Sequence, residues 1–206
     1  VGRAVGQSTM TIQGTVNKTA ILLGLVFFAA MWTWSLFFQG AVGATKGLMV
    51  LGGIGGFIMA LITIFKKEKA GVTAPLYAVF EGLFLGGISA TFEAMYPGVV
   101  MQAVGLTFAT LFCLLGAYKS GMIKPTENFK LGLAAATGGI MLVYFVGFIM
   151  SFFTSSTLGI FGNSIIGIGF SLVVVVIAAL NLVMDFDFIE SGAEQGAPKY
   201  MEWYGA

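Results

Sequence analysis

Apolar residues in this chain neither alternate nor form stripes; they come in six nearly unbroken runs separated by short polar stretches. The runs cover about 19–38, 46–65, 74–96, 99–118, 131–153 and 163–190. A helix rises about 1.5 Å per residue, so about 20 residues cross a hydrocarbon core of roughly 30 Å. Each run is long enough. Membrane barrels need strands that alternate polar and apolar residues, and these runs do not. The pattern predicts an all-α fold, a polytopic membrane helix bundle with six spans.

The ends of the runs carry their own signals. Trp32 and Trp34 lie near the far end of the first, where interfacial aromatics are favoured. Lys66, Lys67, Glu68 and Lys69 close the second. Thr73 reads as an N-cap for the third, with Pro75 in its first turn, and Pro97 and Gly98 end it. Pro125 and Asn128 mark a loop over 119–130, and a Ser/Thr/Gly turn follows over 154–162. Beyond the sixth run, 191–198 reads as a loop. The stretch 199–206 (KYMEWYGA) then reads as the start of a seventh helix that continues past Ala206. The first residue is Val1 rather than Met and 1–18 has no apolar core, so this segment is no signal peptide and the sequence is read as a fragment. The expected organisation is a cytoplasmic segment over 1–18 and a helix bundle over 19–206 with a truncated seventh helix. Gly52 with Gly56, Gly82 with Gly86, and Ala134 with Gly138 are small pairs four apart, a spacing that lets helix backbones approach closely.

Composition narrows the function. Of 206 residues, 58% are hydrophobic and 9% charged, against about 25% charged in soluble domains. There is no His and one Cys, Cys113, which excludes an internal disulfide, a zinc site of the Cys/His type and Ser–His or Cys–His catalysis. Ten scattered basic residues make no phosphate-tracking patch, so nucleic acid is not an expected partner. With alternate loops assigned to opposite sides, Arg3, Lys18, Lys66, Lys67, Lys69, Lys119, Lys124, Lys130 and Lys199 share one side and Lys46 stands on the other. This bias places the N-terminus in the cytoplasm.

The candidate chemistry lies in carboxylates near or inside lipid. Asn181 and Asp185 are four apart on one helix face, and Asp187 points to roughly the other. Asp185 is therefore taken as the functional group and Asp187 as interfacial; the plain alternative for Asp185 is a solvated helix end. Glu81, seven residues into the third run, is the deepest carboxylate. It needs a proton, a partner or water, which makes Glu81 and Asn181 candidate pore or buried polar groups. Glu93 reads as interfacial. Glu202 and the pair Lys66/Lys67 are expected near the same membrane face as Asp185. Two carboxylates forced together share a proton, and their oxygens suit a hard cation such as Ca²⁺. The expected ion or proton gate is Asp185, Glu202 and Lys66, with Asp185 and Glu202 as transient Ca²⁺ ligands, no resident cofactor and no enzymatic activity. The Gly-Ile-Gly of Gly167 to Gly169 lacks a third phosphate-loop glycine and is read as packing.

These residues resemble the transmembrane Bax-inhibitor-motif family (Bax-inhibitor-one or YccA-like), in its bacterial branch. The likeness covers 18–206. It rests on Glu81-Gly82-Leu83-Phe84-Leu85-Gly86-Gly87-Ile88, on Ala103 and Thr107, on Asn181 through Ile189, and on Tyr200-Met201-Glu202-Trp203-Tyr204. It implies a seven-helix bundle around a central helix, acting as a pH-sensitive calcium leak of the inner membrane. In channel-like members an aspartate near the end of helix six pairs with an acid on helix seven, beside an arginine at the end of helix two. Asp185, Glu202 and Lys66 stand at those positions. Here Glu replaces the second Asp and Lys replaces Arg, which cannot clamp a carboxylate bidentately. A relative restrains a membrane-anchored ATP-dependent protease. The alternative reading is therefore an accessory protein that modulates a larger membrane complex, with 1–18 as its flexible handle.

Overall fold

The computed structural model describes residues 9–153 and 164–206; the turn expected over 154–162 lies outside them. Seven α-helices follow in order: α1 (Ile12–Phe38), α2 (Val42–Phe65), α3 (Ala70–Met95), α4 (Val99–Lys119), α5 (Glu127–Phe153), α6 (Ile165–Glu194) and the short α7 (Met201–Tyr204). A 3₁₀ turn, Lys67–Lys69, joins α2 to α3. Among the described residues there is no strand, and six helices are long and apolar enough to cross a membrane. The protein is an all-α, polytopic membrane helix bundle.

The helices outrun the apolar runs at their polar ends. α1 begins at Ile12, well before the run at 19, because Thr11 caps it: its side chain accepts from the Gly14 N–H at 3.0 Å. Gln13 and Asn17 then bond at 3.0 Å across one turn. α6 continues to Glu194, into the stretch expected to be a loop. Thr73 is not an N-cap. α3 starts earlier, at Ala70, and the Thr73 hydroxyl donates to the Lys69 carbonyl at 3.1 Å and accepts from Thr63 at 2.7 Å. Pro75 therefore lies past the first turn.

Several helix ends are closed by glycine. Gly40 takes φ +84°, and its N–H and that of Ala41 return to the carbonyls of Phe37 and Leu36. A left-handed residue closes the carbonyls that a helix end leaves open. Gly196 (φ +68°) does the same for α6. Threonines inside apolar helices hide their hydroxyls against the carbonyl four residues back. Thr15, Thr33 and Thr45, all buried, do so at 3.1, 3.3 and 3.1 Å.

The chain forms two units, Val1–Leu106 with Phe188–Ala206, and Thr107–Asp187. In the first, α3 packs along both α1 and α2, which scarcely touch each other. Its apolar window is 39% buried, against 11% for α1 and for α2. Glycine makes this possible. A Cβ on Gly82 would meet the Val26 carbonyl oxygen at 2.5 Å, and one on Gly86 would run into the backbone of Ala30. A Cβ on Gly52 would meet the Phe80 carbonyl oxygen at 2.6 Å. The pairs Gly52/Gly56 and Gly82/Gly86 are thus real seams. The pair Ala134/Gly138 is not: both are exposed, and a Cβ on Gly138 meets nothing within 4 Å.

In the second unit the contacts are made by longer side chains. Tyr118 of α4 lies against Phe186 of α6 with ring centroids 5.8 Å apart, and Tyr144 of α5 against Phe170 at 6.1 Å.

Gly82→Leu is expected to destabilise the protein by about 1–3 kcal/mol through overpacking, while Gly138→Leu stays within about 0.5 kcal/mol. Thermal unfolding in a neutral detergent separates the two.

Candidate functional site

The most enclosed charge in the first unit is Glu202, whose side chain is fully buried. Its place follows from the chain on either side. Gly196 turns the backbone out of α6, and the Met10 N–H donates to the Ala197 carbonyl at 2.7 Å. Thr9 and Pro198 form an isolated bridge, and Met10 is buried beside Gly192. This brings the start of α1 against the start of α7.

Glu202 then sits at the N-terminus of α1, where a helix presents unsatisfied N–H groups and a positive dipole end. The Thr11 N–H and hydroxyl both donate to its Oε1 at 2.9 Å. Lys199 donates to the same oxygen at 2.7 Å, and Lys18 pairs with Oε2. A Cβ at Gly14 would strike this carboxylate, so the first turn of α1 must be bare there. Burial pushes the Glu202 acid up, but the Lys18, Lys199 and Thr11 bonds outweigh it and hold the pKa down at about 2. Glu202 is therefore ionised at neutral pH. Lys18 also lies 5.4 Å from the Trp203 ring centroid, and Lys67 lies 4.8 Å from that of Tyr204.

The other expected site residues have surroundings of their own. Lys66 is the exposed C-cap of α2 and has no ion pair among the described residues; Lys18 and Lys199 hold Glu202 instead. Glu81 is half-buried in the middle of α3. Its Oε2 lies 3.5 Å from where a Gly56 Cβ would be, and its carboxylate faces the Tyr77 phenol one turn earlier. Asn181, in the second unit, donates to Thr137 of α5 at 3.0 Å and to the Ile177 carbonyl at 2.9 Å. Asp185 belongs to the second unit and is exposed on α6, with no hydrogen bond or ion pair among the described residues. Asp187 pairs with Lys130 of α5 at 2.8 Å. No three His, Cys, Asp or Glu side chains gather as a metal cage among the described residues.

Sequence reasoning passed over Lys18, Lys130 and Thr11. Lys18 and Lys130 stood in the count of basic residues, but nothing in their spacing pointed to a carboxylate 184 or 57 residues away. Tyr77 was legible, four residues before Glu81. Glu93 is more than interfacial: it accepts from the N–H groups of Gly98 at 2.6 Å and Val100 at 3.2 Å, which fixes the turn into α4.

The depressed Glu202 pKa sets a pH window. Its stabilising contribution is complete above the ordinary carboxylate value of about 4.3 and is lost as pH falls towards 2. Between about pH 5 and about pH 2 the melting temperature is expected to fall, and Glu202→Gln is expected to lower it at pH 7 and flatten that fall. Thermal scans across the range check both.

Neither a curated protein nor a solved structure matches the chain. The family model described as Bax inhibitor 1 like matches residues 2–206, essentially the whole chain. With six helices fit to cross a membrane, the chain is a multi-pass membrane protein and belongs to the Bax inhibitor 1 like family.

Proposed function

We propose that this protein is a proton-responsive leak for cations, calcium among them, in the inner membrane of a bacterial cell, with its N-terminus on the cytoplasmic side. The observation that carries the reading is Glu81. An ionisable side chain at mid-helix is costly in lipid and is kept where it serves a polar path. Glu81 stands on the most enclosed helix, against a glycine of α2 and beside a phenol. Its oxygens offer what a hard cation takes in place of water.

Proton dependence then falls to a group other than Glu202, which two lysines keep charged far below neutral pH. Asp185, exposed and without an ion partner among the described residues, is the group left to respond to protons in this scheme. Glu202 in this scheme is the fixed charge that holds α7 to α1, and Lys66 is a charge at the cytoplasmic mouth. The accessory reading draws on a free N-terminal handle. From Thr9 to Lys18 that stretch is bound to 197–202, which favours the leak.

In proteoliposomes loaded with a calcium indicator, Glu81→Gln is expected to slow calcium flux about tenfold, equivalent to ~1.4 kcal/mol of barrier. Asp185→Asn is expected to flatten the dependence of flux on pH. If both variants conduct as the parent does at acid and alkaline pH, the proposal fails.

A further inference from the structure

The side of α3 that carries Glu81 also carries Tyr77 and Thr73, each one turn nearer the lysine-bearing turn Lys67–Lys69. α2 runs beside α3, and the seam between the two widens in that direction. A Cβ on Gly52 would meet the Phe80 carbonyl oxygen at 2.6 Å. One turn on, at Gly56, the nearest α3 backbone atom is the Glu81 nitrogen at 3.9 Å, and the Glu81 Oε2 comes closer, at 3.5 Å. The wider end of the seam is bridged by two hydroxyls. Those of Thr63 on α2 and the buried Thr73 on α3 stand 2.7 Å apart.

A hydroxyl has one proton to give, and each of these has two oxygens in reach. Besides each other, Thr63 reaches the Met59 carbonyl at 2.8 Å and Thr73 reaches the Lys69 carbonyl at 3.1 Å, both four residues back. When one hydroxyl donates across the seam, the other donates to its own carbonyl, which makes two bonds. When both turn to their own carbonyls there are again two bonds, and nothing bridges the seam. The closed and open arrangements hold the same number of hydrogen bonds, and neither leaves a donor unpaired, which is the costly outcome. The contact at Gly52, backbone against backbone, has no second arrangement of this kind. We propose that the Thr63–Thr73 pair is a latch on access to Glu81 from the lysine-bearing end of α2 and α3. It is shut while the hydroxyls bond each other and open when each bonds its own helix. Its bearing on transport rests on the reading of Glu81 as a group on the ion path. The two threonines are positioning residues, acting through the seam beside Glu81.

The test puts a thiol behind the latch and times its labelling. The intact protein in a neutral detergent carries Cys113→Ser, which removes the native thiol, and Glu81→Cys. It is treated with a cationic methanethiosulfonate, which travels through water and not through the apolar micelle. Adding Thr63→Val or Thr73→Val, which keeps the branched shape and removes the hydroxyl, is expected to speed labelling about threefold. Thr63→Ser and Thr73→Ser, which keep the hydroxyl, are expected to label at the rate of the parent. Labelling at the parent rate in both valine variants, or serine variants that label as fast as the valine ones, would overturn the proposal. Calcium flux in proteoliposomes, with Glu81 in place, separates this result from the reading beneath it. Faster labelling with unchanged flux upholds the latch and counts against Glu81 as the ion path. Unchanged labelling in a protein whose flux falls with Glu81→Gln overturns the latch alone.

Discussion

Close backbone contact along α3 is the constraint on which the first unit depends. Lipid tails are as apolar as leucine, so burying apolar surface against another helix gains little in a membrane. Helices associate through dense packing, and density requires that backbones come near. Gly82 and Gly86 let α1 lie on one side of α3, and Gly52 lets α2 lie on another. Every other feature of the unit is hung on that frame. Glu81 stands between the two glycine seams, with its carboxylate lying over Gly56.

Charge is handled differently at the end of the frame. Glu202 is buried, and a buried carboxylate is tolerable only with full hydrogen-bond and charge compensation. Two lysines, a threonine N–H and a threonine hydroxyl supply it, and the N-terminus of α1 adds its dipole. The cluster ties three distant stretches of chain together: the entry to α1, the loop after α6, and α7. It also removes Glu202 from the groups that change protonation near neutral pH. That separates two roles which the family resemblance had combined, a structural charge and a titrating one.

In the second unit polar side chains join α5 and α6. Asn181 reaches Thr137 and Asp187 reaches Lys130, both on α5. Asp187, read from the sequence as interfacial, is the acid that carries an ion pair, while Asp185 faces outward. Two residues of helix separate them by about half a turn of direction, and only the position of α5 decides which of the two finds a partner.

Hydropathy alone carried the class of the fold, the number of spans and the approximate place of each, because about 20 apolar residues have one stable arrangement in lipid. The glycine pairs of α2 and α3 were legible for the same local reason, yet the same small-residue spacing in α5, Ala134 with Gly138, meets open space at Gly138. Spacing tells that a backbone is bare, not that another helix comes to it. Glu81 was legible as a deep carboxylate, since depth follows from position in a run. The partners of Glu202 were not. Lys18 lies 184 residues away and Thr11 191 residues away, and ion pairing leaves no periodic trace in a sequence. Whether a carboxylate is a proton switch or a permanent anchor depends on which cations the folded helices bring to it, and that choice belongs to the tertiary structure.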